Sequence, residues 1–293
     1  MQKASQIART GMVASGLLGA LKIGIGLAAH SAAVTADGFE SAADVFTSGM
    51  VLVGMTIAAR PADENHPYGH GRIEILTGLL LGFLLFGAGL IISLRAWTGA
   101  GNVTTPPAAF AIWPMLVSIG VKFAMTTYKR RAARIFSSSA LRADAANDAV
   151  DIVSGVVALT ALLLTLQYPD RFPRADQYGA FIVGAIVMAT AVRVAYEAAM
   201  HLMDTMPDDI AMDDIRKAAA TVTDVVGVEK CFARKTGLKY HVDLHLEVDP
   251  DITVRASHDI AQRVRERVCE LLPWVADVLV HVEPAPGEMR KVD

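Results

Sequence analysis

The sequence predicts an α-helical membrane protein with six transmembrane helices, followed by a C-terminal ferredoxin-like α+β domain (αββαβ) on the cytoplasmic side. Three observations carry this. Apolar runs of membrane-spanning length recur through the first two thirds of the chain. Acidic stripes interrupt two of those runs, and after Asp204 the chain turns polar and changes its hydrophobic period.

With 53% hydrophobic and 19% charged residues and a mean hydropathy of +0.39, the chain is too apolar for an ordinary soluble domain. Its net charge of -3 averages two unlike parts, and no nucleic-acid partner is expected. Candidate spans are residues 8–29, 32–59, 73–97, 108–127, 140–167 and 178–202. The first follows Lys3 and Arg9 like a signal peptide, but it is long, contains Lys22, and runs straight into the next span, so it reads as an uncleaved helix. An even number of spans keeps both termini on one side. Arg60, Arg72, Lys129, Arg130, Arg131, Arg134 and Arg142 follow spans two and four, whereas residues 98–107 carry no Lys or Arg. Both termini are therefore expected in the cytoplasm, against the minority signal of Arg171 and Arg174, and the bilayer is expected to be the cell (inner) membrane.

The acidic stripes are Asp37, Glu40 and Asp44 in the second span, and Asp144, Asn147, Asp148 and Asp151 in the fifth. A carboxylate in hydrocarbon costs several kcal/mol unless paired, protonated or facing water, so such residues mark a functional site. Glu40 and Asp44 are four apart, as are Asn147 and Asp151, which puts each pair on one helix face. Two such faces meeting bring four oxygen-bearing side chains around one point. Asp148 competes with Asn147 for the same role after a small helix rotation. Asp37 and Asp144 read as interhelical hydrogen-bonding groups.

In the loop after span two, Asp63, His66 and His70 can reach one metal ion, and Pro67, Gly69 and Gly71 argue for a tight loop there. The expected division is a membrane part at residues 1–205 and a polar tail domain at 206–293. In the tail, residues 210–222 have helical spacing, 228–234 and 240–248 read as strands around a turn at 235–237, and 254–272 and 277–283 add a helix and a last strand. Residues 240–248 alternate strictly, with His241, Asp243, His245 and Glu247 on one face. His245 can share a side with His281 and Glu283, and His258 opens the helix between those strands. Cys231 and Cys269 both fall in this tail and are expected to stay reduced.

Segments 31–44 (SAAVTADGFESAAD), 61–74 (PADENHPYGHGRIE), 141–151 (LRADAANDAVD) and 227–237 (GVEKCFARKTG), with Met203-Asp204, His245, His258 and His281, resemble the cation diffusion facilitator family of divalent-metal/proton antiporters over nearly the whole chain. The resemblance implies a transport site of Glu40, Asp44, Asn147 and Asp151, and a loop site of Asp63, His66 and His70. It also implies tail ligands Glu229, His245, His258, His281 and Glu283 at a homodimer interface, and a charge interlock between Arg72 and Asp204. Glu40 and Asn147 depart from the Asp or His, and the His, common at those positions. Loss of imidazole favours manganese or iron over zinc, with cobalt or nickel open. The implied function is efflux of such an ion in exchange for protons by alternating access, with the bilayer, metal ions and protons as partners and no cofactor beyond the metal. A non-transporting metal sensor or assembly scaffold of the same fold is the alternative. A hydrolase is not expected, since neither a partnered nucleophile nor an HExxH motif occurs in the spans.

Overall fold

The computed structural model describes residues 2–58, 60–99, 106–135, 139–237 and 239–286. The side chains of Arg134, Arg142 and Asp144, and residues 100–105 of the connection free of Lys and Arg, lie outside the described residues. Six long helices come first: α1 (Gln2–Ala28), α2 (Ala32–Ala58), α3 (Arg72–Gly99), α4 (Ile112–Ile135), α5 (Ser139–Gln167) and α6 (Ala175–Leu202). Four of them, α3 to α6, contain described segments long and apolar enough to cross a membrane; α1 contributes a shorter apolar stretch, Met12–Ala28, and α2 carries the first acidic stripe. The helices stop where the chain loses apolar residues or meets prolines. Pro106 and Pro107 precede a short 3₁₀ turn at Ala109–Ala111, Pro169 and Pro173 separate α5 from α6, and Pro114 is tolerated in the first turn of α4.

Contacts divide the chain into two compact units, Met1–Leu52 with Leu80–Ala195, and Val53–Leu79 with Tyr196–Asp293. In the first unit small residues set the helix spacing. A Cβ on Gly38 of α2 would lie 2.7 Å from the Ile23 backbone nitrogen of α1, so only glycine admits this approach. The start of α2 is capped from a distance by Asp176 of α6. Ser31 Oγ donates to Asp176 Oδ1 (2.6 Å) and the Ala32 N–H to Oδ2 (2.5 Å), while the Asp176 N–H donates to Thr165 Oγ1 (2.9 Å). These bonds satisfy helix-end donors that hydrocarbon would otherwise leave bare.

In the second unit the tail forms α7 (Asp209–Ala220), β1 (Gly227–Thr236), β2 (Lys239–Val248), α8 (Val254–Leu271) and β3 (Val275–Pro284), the αββαβ order read from the periodicity. The sheet runs β1-β2-β3, with β1 antiparallel and β3 parallel to β2. Asp208 and Thr253 cap α7 and α8 by accepting the Ala211 and Ala256 N–H. Val242, Leu244, Leu246 and Val248 on one face of β2 are buried with Ile215, Val264 and Val268 of the helices, so the other face of β2 points away from that core.

Candidate metal-transport site

Glu40, Asp44, Asn147 and Asp151 line one small cavity, with Ala43, Leu85, Val150, Val187 and Thr190 as its walls. Its volume of about 20 Å³ suits a single water-sized occupant. Glu40 accepts the Ser154 hydroxyl on one oxygen (2.7 Å), and its other oxygen is buried with no hydrogen-bond partner among the described residues. Asp44 lies within hydrogen-bonding reach of both Asn147 and Asp151. A second cavity of about 780 Å³, lined at one end by His30, Arg95 and Gln177, shares Glu40, Ala43, Leu85 and Val187 with the first. Of the four oxygen-bearing side chains, Glu40 is the one that also lines this larger vestibule.

Three buried lysines accompany the acids. Lys22 of α1 pairs with Asp37 (2.6 Å) and donates to Ser41 Oγ (2.7 Å), so Asp37 is a pairing residue and stays out of the small cavity. Lys122 of α4 pairs with Asp151 and with Asp148 (3.1 Å). Lys129 pairs with the other oxygen of Asp148 (2.5 Å). Asp148, the competitor of Asn147, therefore faces two ammonium groups, while Asn147 faces the cavity. Sequence reasoning missed Lys122 altogether and counted Lys129 as a loop cation. Lys129 instead lies inside α4, which continues to Ile135, and is only 2% exposed. The available signal was a helical one: Lys122 and Lys129 are two turns apart on one face of an otherwise apolar run.

The loop residues Asp63, His66 and His70 form a cluster whose ligand atoms lie within 4.8 Å of one another. Asp63 accepts the N–H groups of Asn65 (3.0 Å) and His66 (2.7 Å), an Asx turn that fixes its carboxylate. The His66 N–H bond in particular holds the Asp63 carboxyl below the usual carboxylate range. His66 Nδ1 and His70 Nε2 approach it at 3.2 and 3.3 Å.

In the tail, His245 and His281 are cross-strand partners with ring centroids 5.0 Å apart, and with Glu283 they form the other described cluster able to hold a metal. His245 Nδ1 lies 2.5 Å from Glu283 Oε1. The Glu229 carboxyl and the His245 ring, both hydrogen-bonded to Glu283, hold its carboxyl below the ordinary value. His258 does not join this cluster within the chain. It stands on α8, which packs on the apolar face of the sheet, whereas His245 lies on the opposite face. Arg72 and Asp204 meet at 2.9 Å, both about half exposed, which limits the pair to less than about 1 kcal/mol. Asp204 adopts a left-handed backbone (φ 56°) just past α6.

The family model described as cation efflux transmembrane domain matches residues 9–203, and that described as cation efflux protein, cytoplasmic domain, matches residues 207–285. The chain is 31% identical over 272 residues to the uncharacterized transporter YdbO of Bacillus subtilis, covering 92% of this chain and 91% of that protein. It is 28% identical over 287 residues to the manganese efflux system protein MneP of the same organism, covering 97% of each. A solved structure named MamM-CTD 215-293 is 30% identical, with a TM-score of 0.26, and covers 26% of this chain and 96% of that one. Matched along nearly its whole length, the chain belongs to the cation diffusion facilitator family: it is an integral membrane transporter of divalent metal cations, not an enzyme.

Proposed function

We propose that the protein exports manganese or ferrous iron from the cytoplasm in exchange for protons, by alternating access to a site built from Glu40, Asp44, Asn147 and Asp151. The observation that carries this reading is the shared cavity of these four residues, which offers carboxylate and amide oxygens and neither imidazole nor thiolate. Such a donor set suits harder divalent ions than zinc. The name of MneP, a manganese efflux system protein, points the same way. Release of a doubly charged ion leaves excess negative charge in a low-dielectric region, and proton uptake offsets it. The vestibule ends at His30, between α1 and α2; with both termini cytoplasmic, that end faces away from the cytoplasm, as an outward-facing stage of the cycle requires.

The cytoplasmic domain spans residues 206–293 and serves metal sensing and homodimerisation, and the host bilayer is the cell membrane. Support for the dimer comes from exposed Phe232 and Leu279 beside the His245–His281–Glu283 cluster, apolar surface that a second copy would cover. The test is metal-driven proton flux in proteoliposomes of the full-length protein. Wild type is expected to move protons opposite to Mn2+, so that the lumen turns alkaline as Mn2+ enters it, and Asp151→Ala to lose this flux by roughly a hundred-fold or more. Equal metal-driven flux in the two proteins rejects the site, whereas no flux in wild type leaves a sensor or scaffold as the reading.

A further inference from the structure

Lys122 touches the transport site yet belongs to no ligand set. We propose that it is a tethered counter-ion, which holds Asp151 until a divalent ion binds and then withdraws to Asp148. The inference rests on the transport-site reading above.

The geometry supplies two seats for one ammonium. Lys122 is 3% exposed and its Nζ bridges Asp151 and Asp148. These acids are three apart on α5 and so share a face. Only Asp151 lines the small cavity. Asp148 is anchored on its other oxygen by Lys129, so it stays in place as the second seat. A lysine stem is long and flexible with its charge at a point, which suits a short swing between two carboxylates.

Formal charge gives the swing a purpose. Asp37 is balanced by Lys22 and Asp148 by Lys129. Glu40, Asp44 and Asp151 then remain with Lys122 as their balancing cation, a formal charge of -2 that one divalent ion neutralises. A metal ion that takes the Asp151 oxygen held by Lys122 competes with its ammonium, and the returning lysine helps to expel the metal. A site of three carboxylates with no such competitor would hold its ion tightly and release it slowly.

The experiment measures Mn2+ transport in proteoliposomes of full-length wild type and of Lys122→Met, Lys122→Arg, Asp148→Asn and Asp151→Ala. Lys122→Met is expected to lower the apparent KM for Mn2+ roughly ten-fold and to lower the maximal rate as well. Lys122→Arg restores the wild-type KM because it keeps the charge. Asp148→Asn, which removes the second seat, raises KM. A Lys122→Met protein whose rate falls at unchanged or raised KM, as a packing defect would give, overturns the proposal. If that variant does not fold, an unchanged KM in Asp148→Asn overturns it instead. Wild-type transport by Asp151→Ala would reject the site itself, whereas an inactive Asp151→Ala beside an unchanged KM in Lys122→Met rejects the counter-ion alone.

Discussion

Asn147 is the residue on which the proposed metal choice turns. It lines the cavity with an amide where an imidazole would add a nitrogen donor, and nitrogen donors shift preference towards zinc. Asn147→His is therefore expected to raise zinc uptake relative to manganese uptake by roughly ten-fold in vesicles loaded with each ion. An unchanged ratio would show that ligand softness does not set the ranking. Glu40, Asp44 and Asp151 were legible in the sequence as acids inside apolar runs. The choice between Asn147 and Asp148 was not, since adjacent residues on a helix point about 100° apart and only the neighbouring helix decides which one faces in. The partners of Lys122 were illegible for a related reason, although its helical spacing from Lys129 was not. A single lysine in a span reads equally as snorkelling or pairing, and its partners lie 26 and 29 positions away.

At the scale of elements, the helices followed from apolar length, and their ends followed less well. The basic run Lys129 to Arg131 resembles a loop, yet α4 continues through it because Lys129 turns inward onto an acid. The remote cap on α2 gives a testable consequence. Asp176→Ala removes the acceptor of the Ser31 hydroxyl and the Ala32 N–H, and is expected to destabilise the transmembrane unit by about 1–2 kcal/mol, read as a lower unfolding temperature in detergent. Wild-type stability would show that the cap is replaced by water. The loop before α3 makes a second element-scale device. Gly71 meets Gly237 backbone to backbone, where a Cβ on Gly237 (φ 79°) would come within 2.8 Å of the Gly71 Cα, and Tyr68 stands edge-on to His241 with Arg234 over its ring. Burial pushes His241 below the ordinary histidine value of 6.5, so the neutral ring is the form the fold favours. Its contribution is present above pH 6.5 and is lost as pH falls through the lower folded value. The protection factors of residues 61–71, taken against the intrinsic exchange rate at each pH, should thus fall on acidification from pH 7.5 to about 5.5, and His241→Gln should flatten this response. An equal response in the variant would remove His241 from it.

At the scale of the whole molecule, the question is how a tail site can bear on transport. A bound ion shifts a conformational equilibrium only by its differential affinity for the two states, so the tail cluster must be better formed in one of them. Among the described residues the cluster offers His245, His281 and Glu283, with Glu229 bonded to Glu283, and His258 stands on the far side of the sheet. Under the proposed homodimer, a donor added by the partner would raise the affinity of this exposed cluster and so couple metal binding to the meeting of two tails. His281 is the exposed member, so its removal should weaken that coupling without unfolding the sheet. In the full-length protein, micromolar Mn2+ or Zn2+ is expected to slow proteolysis of the tail. His281→Ala should shift the metal needed for this protection upward by roughly ten-fold, with maximal transport at saturating metal staying within about two-fold of wild type. Protection that needs no His281 would remove the cluster from regulation. Loss of transport in step with loss of protection would instead mean that the tail site is obligatory, since a purely population-shifting site can be overridden by saturating the transport site itself.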